Sequence, residues 1–220
     1  MFGATREAFG LSMNVYDRLF SFGRKKIADY WVFDPDTIRG ELAKSYSISP
    51  DSKVITITLR DNATWHDGTP VTAEDVKWSL DRAVSAKSLA APQFTTGSLT
   101  KPEQFQIVDA KTLTVTLEKP DRLALANLCV PYAIMINSKL ARKNATAEDP
   151  WAQEWMKANT AASGAYIVES HKAGESTVLR RNDKWVGGPD GTLPNFRRII
   201  IQTVPEPATR ANLVERGDAD

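Results

Sequence analysis

Trp65-His66-Asp67-Gly68-Thr69-Pro70 is the string that first invites a chemical reading. A histidine beside a carboxylate could act as a general base with its orienter, or as two metal ligands. Successive residues of an extended chain point to opposite sides, however, so His66 and Asp67 do not readily converge on one atom. Turn chemistry accounts for the same residues more simply: Asp-Gly supplies a tight turn, Pro70 fixes its exit and Trp65 packs inward. The only other histidine, His171, stands beside a predicted hairpin turn. No Gly-x-Ser-x-Gly elbow presents a serine, and neither common Gly-rich phosphate loop is present. Cys129 is the single cysteine, which excludes an internal disulfide and a Cys-rich metal site. The residues therefore predict no catalytic centre, no metal site and no cofactor. A hydrolase built on His66 or His171 and a stand-alone β-rich interaction module are two readings the residues leave open.

Composition narrows the partners. The chain has 220 residues, 28 Lys plus Arg against 27 Asp plus Glu, and a net charge of +1, so bulk charge gives no reason to expect nucleic acid or an anionic membrane. The apolar run Leu123–Met135 is interrupted by Asn127 and Pro131 and is too short for a membrane span. Met1 to Glu7 lacks the basic start and apolar core of a secretory leader. That leaves a cytoplasmic protein or one whose leader has been removed. The other end, Arg216-Gly217-Asp218-Ala219-Asp220, reads as a helix end running into a strand, so cuts are expected at both ends.

Mixed helices and strands without regular alternation predict an α+β or mixed α/β class. Leu11, Val15, Leu19 and Phe22 stand at helical spacing, predicting a helix over 11–20 with Gly23 as its stop. Arg24-Lys25-Lys26 is read as a solvated loop, and Asp34-Pro35-Asp36 as a turn. Ile55, Ile57 and Leu59 alternate with threonines, as do Leu113, Val115 and Leu117, predicting two strands of one antiparallel sheet. Between them Thr72 can cap a helix at Asp75, the place where a capping box carries Glu or Gln, and Val76 and Leu80 supply its inward stripe. Residues 86–102 read as a long loop with a short helix. Further along, a short helix is predicted at 123–128, a buried strand at 133–137 and a helix at 150–158. A hairpin is predicted at 166–169 and 177–180 around Lys172-Ala173-Gly174. A surface turn at Gly187-Gly188-Pro189-Asp190-Gly191 is followed by a strand at 197–203 and a helix at 207–216. Trp78 and Trp155, on predicted helices, are expected in the core.

Residues 40–82 carry a resemblance. Glu41-Leu42-Ala43-Lys44-Ser45-Tyr46, a strand, Trp65-His66-Asp67-Gly68-Thr69-Pro70 and Thr72-Ala73-Glu74-Asp75-Val76 follow one another at the spacing of a known signature. The stretch resembles the bacterial extracellular solute-binding proteins of family 5, which include dipeptide-, oligopeptide- and nickel-binding components of ABC importers. Tyr16-Asp17-Arg18-Leu19, Ser163-Gly164-Ala165-Tyr166 and Asn182-Asp183-Lys184-Trp185-Val186-Gly187-Gly188 are similar to further motifs of that family. Departures occur at Tyr46, where tryptophan is usual, at Ser52, where glycine is usual, and at Ala162 and Ala165.

The resemblance implies a type II periplasmic-binding-protein lobe with the second lobe absent. Residues 1–39 and 156–220 would belong to lobe one and 40–155 to the extra subdomain of the family. It implies capture of a peptide or similar small solute, delivery to ABC permease subunits, a monomer, no nucleic acid, and a periplasmic or lipid-anchored location. It also implies that Met13, Tyr16, Gln93, Phe94, Cys129, Pro131 and Tyr132 border the ligand cleft.

Overall fold

The computed structural model describes residues 6–86, 88–188 and 191–220; Pro189 and Asp190 of the predicted surface turn lie outside the described residues. Helix α1 (Arg6–Val15) leads into β1 (Phe20–Ile27), which pairs with β2 (Tyr30–Gly40) as a two-stranded antiparallel sheet. The helix predicted over 11–20 thus ends at Val15. Beyond that point the backbone bonds to distant chain: Met135 N–H donates to Asp17 O at 2.8 Å and Glu41 N–H to Leu19 O at 2.9 Å. Leu19 and Phe20 reach the core from extended chain, not from a helix face. Arg24-Lys25-Lys26 lies on a strand, where a loop was expected. Asp34-Pro35-Asp36 does break the ladder, because register jumps from Phe22↔Ile38 to Gly23↔Asp34 and residues 35–37 bulge out.

The central sheet has the order β3 (Ala43–Ile48), β4 (Val54–Leu59), β6 (Thr112–Thr116), β5 (Phe105–Ile107). Ile55 faces Val115 and Ile57 faces Leu113 across the antiparallel β4–β6 pair, as the matched alternation predicts. Helix α2 (Ala73–Ser85) covers this sheet with Val76 and Leu80 fully buried. Its capping box is complete: Thr72 Oγ1 accepts from Asp75 N–H at 3.4 Å, and the Asp75 carboxylate accepts from Thr72 N–H at 3.0 Å. Helix α3 (Ala90–Thr95) is the short helix within the long loop.

Helices α4 (Leu123–Asn127) and α5 (Ser138–Lys143) flank an extended segment. The strand predicted at 133–137 is only a single bridge, Arg18↔Ile134, because its next donors diverge: Ile136 N–H goes to Ser79 Oγ and Asn137 N–H to Ala161 O. At 150–158 the structure has a one-turn 3-10 helix, Trp155–Lys157; Ala152 takes a left-handed φ of 52°, which a continuing α-helix cannot hold. The last sheet is β7 (Tyr166–Lys172), β8 (Ser176–Arg181), β9 (Arg198–Gln202), followed by α6 (Pro207–Glu215). Gly174 turns the β7–β8 hairpin with φ +76°. Two apolar cores result. One lies between the central sheet, α2 and the 124–135 segment; the other gathers Val15, Tyr16, Trp78, Ile136, Met156, Tyr166 and Leu179.

Candidate functional site

The link from α1 to β1 runs through the middle of the molecule. Asp17 is buried and accepts from Ser163 Oγ at 2.9 Å and Trp185 Nε1 at 2.8 Å. Burial, reinforced by the nearby Glu41 carboxylate, pushes the Asp17 pKa up to about 7. Arg18 next to it forms an ion pair with Glu41 through two nitrogens, and its third contact is to the Cys129 carbonyl at 3.1 Å. Asn182 Nδ2 donates to Gly164 O at 3.1 Å, and Gly164 N–H donates to Val15 O at 2.8 Å. One polar knot thus ties together α1, the 129–135 turn, the 161–166 segment and the Asn182–Gly188 loop. The approach at Gly164 is so close that a Cβ there would sit 2.5 Å from the Val15 carbonyl carbon and oxygen.

A second buried carboxylate fastens the subdomain. Asp75 accepts from Thr72 Oγ1 at 2.7 Å, Trp65 Nε1 at 3.3 Å, Ser138 N–H at 3.0 Å and Ser138 Oγ at 2.6 Å, besides its cap bond. The His-Asp-Gly string proves to be a turn of the expected kind. Asp67 Oδ1 accepts from Thr69 N–H at 2.9 Å, Gly68 has φ +85° and Trp65 is buried.

His66 lies 3.0 Å by Nε2 from the Gly164 carbonyl, which assigns the proton to Nε2, while its buried Nδ1 has no partner. Burial lowers its pKa, so the ring is neutral at ordinary pH. His171 is bonded to its cross-strand neighbour Thr177 at 2.8 Å on an open hairpin. Neither ring has the base-and-orienter geometry that hydrolysis requires. Among the described residues no three His, Cys, Asp or Glu side chains are grouped to hold a metal, and no helix is long and apolar enough to cross a membrane.

The residues expected to border a cleft fall into two sets. Met13 is 52% exposed on α1, one turn after Phe9, and the Phe9 ring meets Tyr132 edge-on at 5.2 Å. Pro131 precedes Tyr132 and is partly exposed. Gln93 donates to Asn127 Oδ1 at 2.8 Å, linking α3 to α4 just before the 129–132 turn. These four side chains remain accessible. Tyr16, Phe94 and Cys129 are interior. Tyr16 accepts from Ala161 N–H at 3.3 Å with its pKa pushed to about 12 by burial, Phe94 is fully buried, and the Cys129 thiol is buried with its pKa raised to about 12. Phe9 and the Asp17–Ser163–Trp185 knot were not singled out from the sequence as a unit; their partners are too far apart for any spacing rule.

Comparison with known proteins identifies the family of the chain. Residues 37–220 match the family described as bacterial extracellular solute-binding proteins, family 5 Middle. The chain is 35% identical over 183 residues to the probable D,D-dipeptide-binding periplasmic protein DdpA of Escherichia coli K12, with 83% of this chain and 33% of that protein covered. It is 33% identical over 191 residues to the periplasmic murein peptide-binding protein MppA of the same organism, covering 78% of this chain and 33% of that protein. Among solved structures, the binding protein MoaA from A. tumefaciens R10 in complex with mannopinic acid superposes with a TM-score of 0.80 at 25% identity, over 99% of this chain and 40% of that one. The chain spans about a third of the length of these curated relatives.

Proposed function

The chain belongs to the bacterial extracellular solute-binding proteins of family 5, and we propose that it forms one face of a solute clamp that captures a peptide or similar small solute and hands it to the permease of an ABC importer. The observation that carries this reading is the family match over 37–220 on a fold that superposes on a ligand-bound binding protein across nearly the whole chain. The binding face would be built from Met13, Gln93, Pro131 and Tyr132, with Phe9 beside them, backed by Tyr16, Phe94 and Cys129. Its rigidity would come from the Asp17 knot directly behind it.

The division into 1–39, 40–155 and 156–220 draws support from the sheets. β2 ends at Gly40, the central sheet lies wholly within 43–116, and the third sheet begins at Tyr166. The second core crosses these limits, since Trp78 and Ile136 pack with Val15, Tyr16 and Tyr166. The lobe and subdomain would therefore move as one body, and closure around solute would occur against the remainder of a longer chain. A periplasmic or lipid-anchored setting and a monomeric state complete the proposal.

The test is mass spectrometry of small molecules released from the full-length protein purified from its host. A peptide, opine or comparable solute is expected. Residues 1–220 alone supply one face, whereas such pockets bury roughly 70–90% of a ligand, so calorimetry should detect no micromolar binding of di- to pentapeptides by this portion. Tight binding by residues 1–220 would place the site elsewhere and overturn the clamp.

A further inference from the structure

The β1–β2 hairpin projects side chains that nothing in the described chain covers. Ile27 is 57% exposed, Tyr30 77%, Trp31 66% and Phe33 62%. The register fixes their faces. Ile27 lies opposite Tyr30 and Lys25 opposite Val32 on one face, while Lys26 lies opposite Trp31 and Arg24 opposite Phe33 on the other. Both faces of the ribbon end are thus apolar, and both carry cations behind the tip. Arg24 stacks over Trp31 at 5.7 Å, and Phe22 meets Phe33 edge-on at 5.0 Å, so the second face is an ordered ladder. From residue 22 to residue 34 three cations stand against Asp29 and Asp34, and Lys25 is ion-paired to Asp34 at 3.1 Å, so Arg24 and Lys26 carry the excess charge.

We infer that this hairpin is a docking element for an anionic lipid surface. A protein groove takes one face of a ribbon and leaves the other in water. A bilayer interface receives a tip that is apolar on both sides, with Trp and Tyr at headgroup depth. Strand rise places Arg24 about 10 Å behind Ile27 and Lys26 about 3 Å behind, the depth range in which phosphates lie when an apolar tip rests in the interface. Asp29 at the turn opposes insertion and limits the contact to the headgroup layer. The inference is independent of which solute the protein binds: it concerns residence of the binding protein at the membrane where its permease sits.

The experiment is co-sedimentation of the full-length protein with vesicles of phosphatidylglycerol and phosphatidylethanolamine, against vesicles of phosphatidylcholine alone. Binding to the anionic vesicles should be stronger by about thirtyfold at low salt and should fall as salt rises, as two cations near a charged surface require. R24E/K26E should abolish the preference, Y30S/W31S should weaken binding at every salt, and D29K should strengthen it. These side chains lie outside both cores, so thermal midpoint and solute binding should stay unchanged, which separates this inference from the clamp proposal. Equal sedimentation with both vesicle types, or anionic binding unaffected by R24E/K26E and Y30S/W31S, would overturn it. So would a full-length protein in which the hairpin is buried against the rest of the chain or docks only to a purified protein partner.

Discussion

Trp185 donates its indole N–H to the buried carboxylate of Asp17 at 2.8 Å, across 168 residues of chain. With Ser163 on the other oxygen, this contact pins the end of α1 to the loop between β8 and β9 of the third sheet. It would hold the proposed rim of Met13 and Tyr132 on a support with few degrees of freedom.

The first prediction follows from the position of Asp17. Its folded pKa is raised from 3.8 to about 7, so the native state binds the extra proton between those values. The stabilisation is complete below the unfolded pKa and is lost as pH rises through about 7. His66 acts in the opposite sense: its folded pKa is lowered from 6.5, so its contribution is present above that value and declines as pH falls. Thermal unfolding should show Tm falling by on the order of 10 °C from pH 5 to pH 8. In Asp17→Asn the slope should flatten or reverse, leaving the His66 contribution. An unchanged downward slope in that variant would refute the assignment.

Much of this was legible in the sequence where structure is local. Alternation placed Ile55 and Ile57 against Val115 and Leu113, and Thr72 announced the start of α2. The β1–β2 hairpin was not legible, because Arg24-Lys25-Lys26 and Asp34-Pro35-Asp36 have poor strand propensity and strong turn character. The end of α1 was misplaced because Val15 and Leu19 point inward from two different elements at a spacing that imitates one helix. The rim residues were reached only through family resemblance. Burial then separates Met13 and Tyr132 from Phe94 and Cys129, which the sequence cannot do, since all four are apolar or weakly polar.

A second prediction concerns Asp75. Removing its carboxylate strands donors from Thr72, Trp65 and Ser138 in a buried site. Each orphaned donor costs about 1–3 kcal/mol. Asp75→Ala should therefore destabilise by at least ~3 kcal/mol in urea unfolding, with the loss spread over α2 and α5. A loss below ~1 kcal/mol would mean that water replaces the carboxylate there.

At Gly164 the constraint is space. An added methyl would lie 2.5 Å from the backbone of Val15, which has no flexible end to swing away. Gly164→Ala should separate α1 from the 161–166 segment and lower Tm by on the order of 5–10 °C. Gly10→Ala, where the added carbon meets no heavy atom within 4 Å beyond its chain neighbours and its own helix backbone, should leave Tm the same or slightly higher. Equal effects at the two glycines would show that the close approach is not stiff.

The last prediction separates lining from support, and it is made on the full-length protein with whatever solute it carries. Met13, Gln93 and Tyr132 are accessible, whereas Phe94, on α3, is fully buried. Truncating an accessible lining residue removes solute contacts without opening a core cavity, so Met13→Ala, Gln93→Ala and Tyr132→Ala should weaken solute affinity by roughly 10-fold or more each with Tm nearly unchanged. Gln93→Ala also releases Asn127 Oδ1, and Gln93→Glu, which has no N–H to donate to that oxygen, should be no better than Gln93→Ala if the contact to Asn127 is what matters. Phe94→Ala should do the reverse, costing about 3–5 kcal/mol of stability through its cavity while affinity per folded molecule changes little. Calorimetric titration alongside thermal unfolding reads both quantities on the same samples. Affinity intact in the three accessible variants would mean that the solute contacts a different face, and the roles assigned to Met13, Gln93 and Tyr132 would fall.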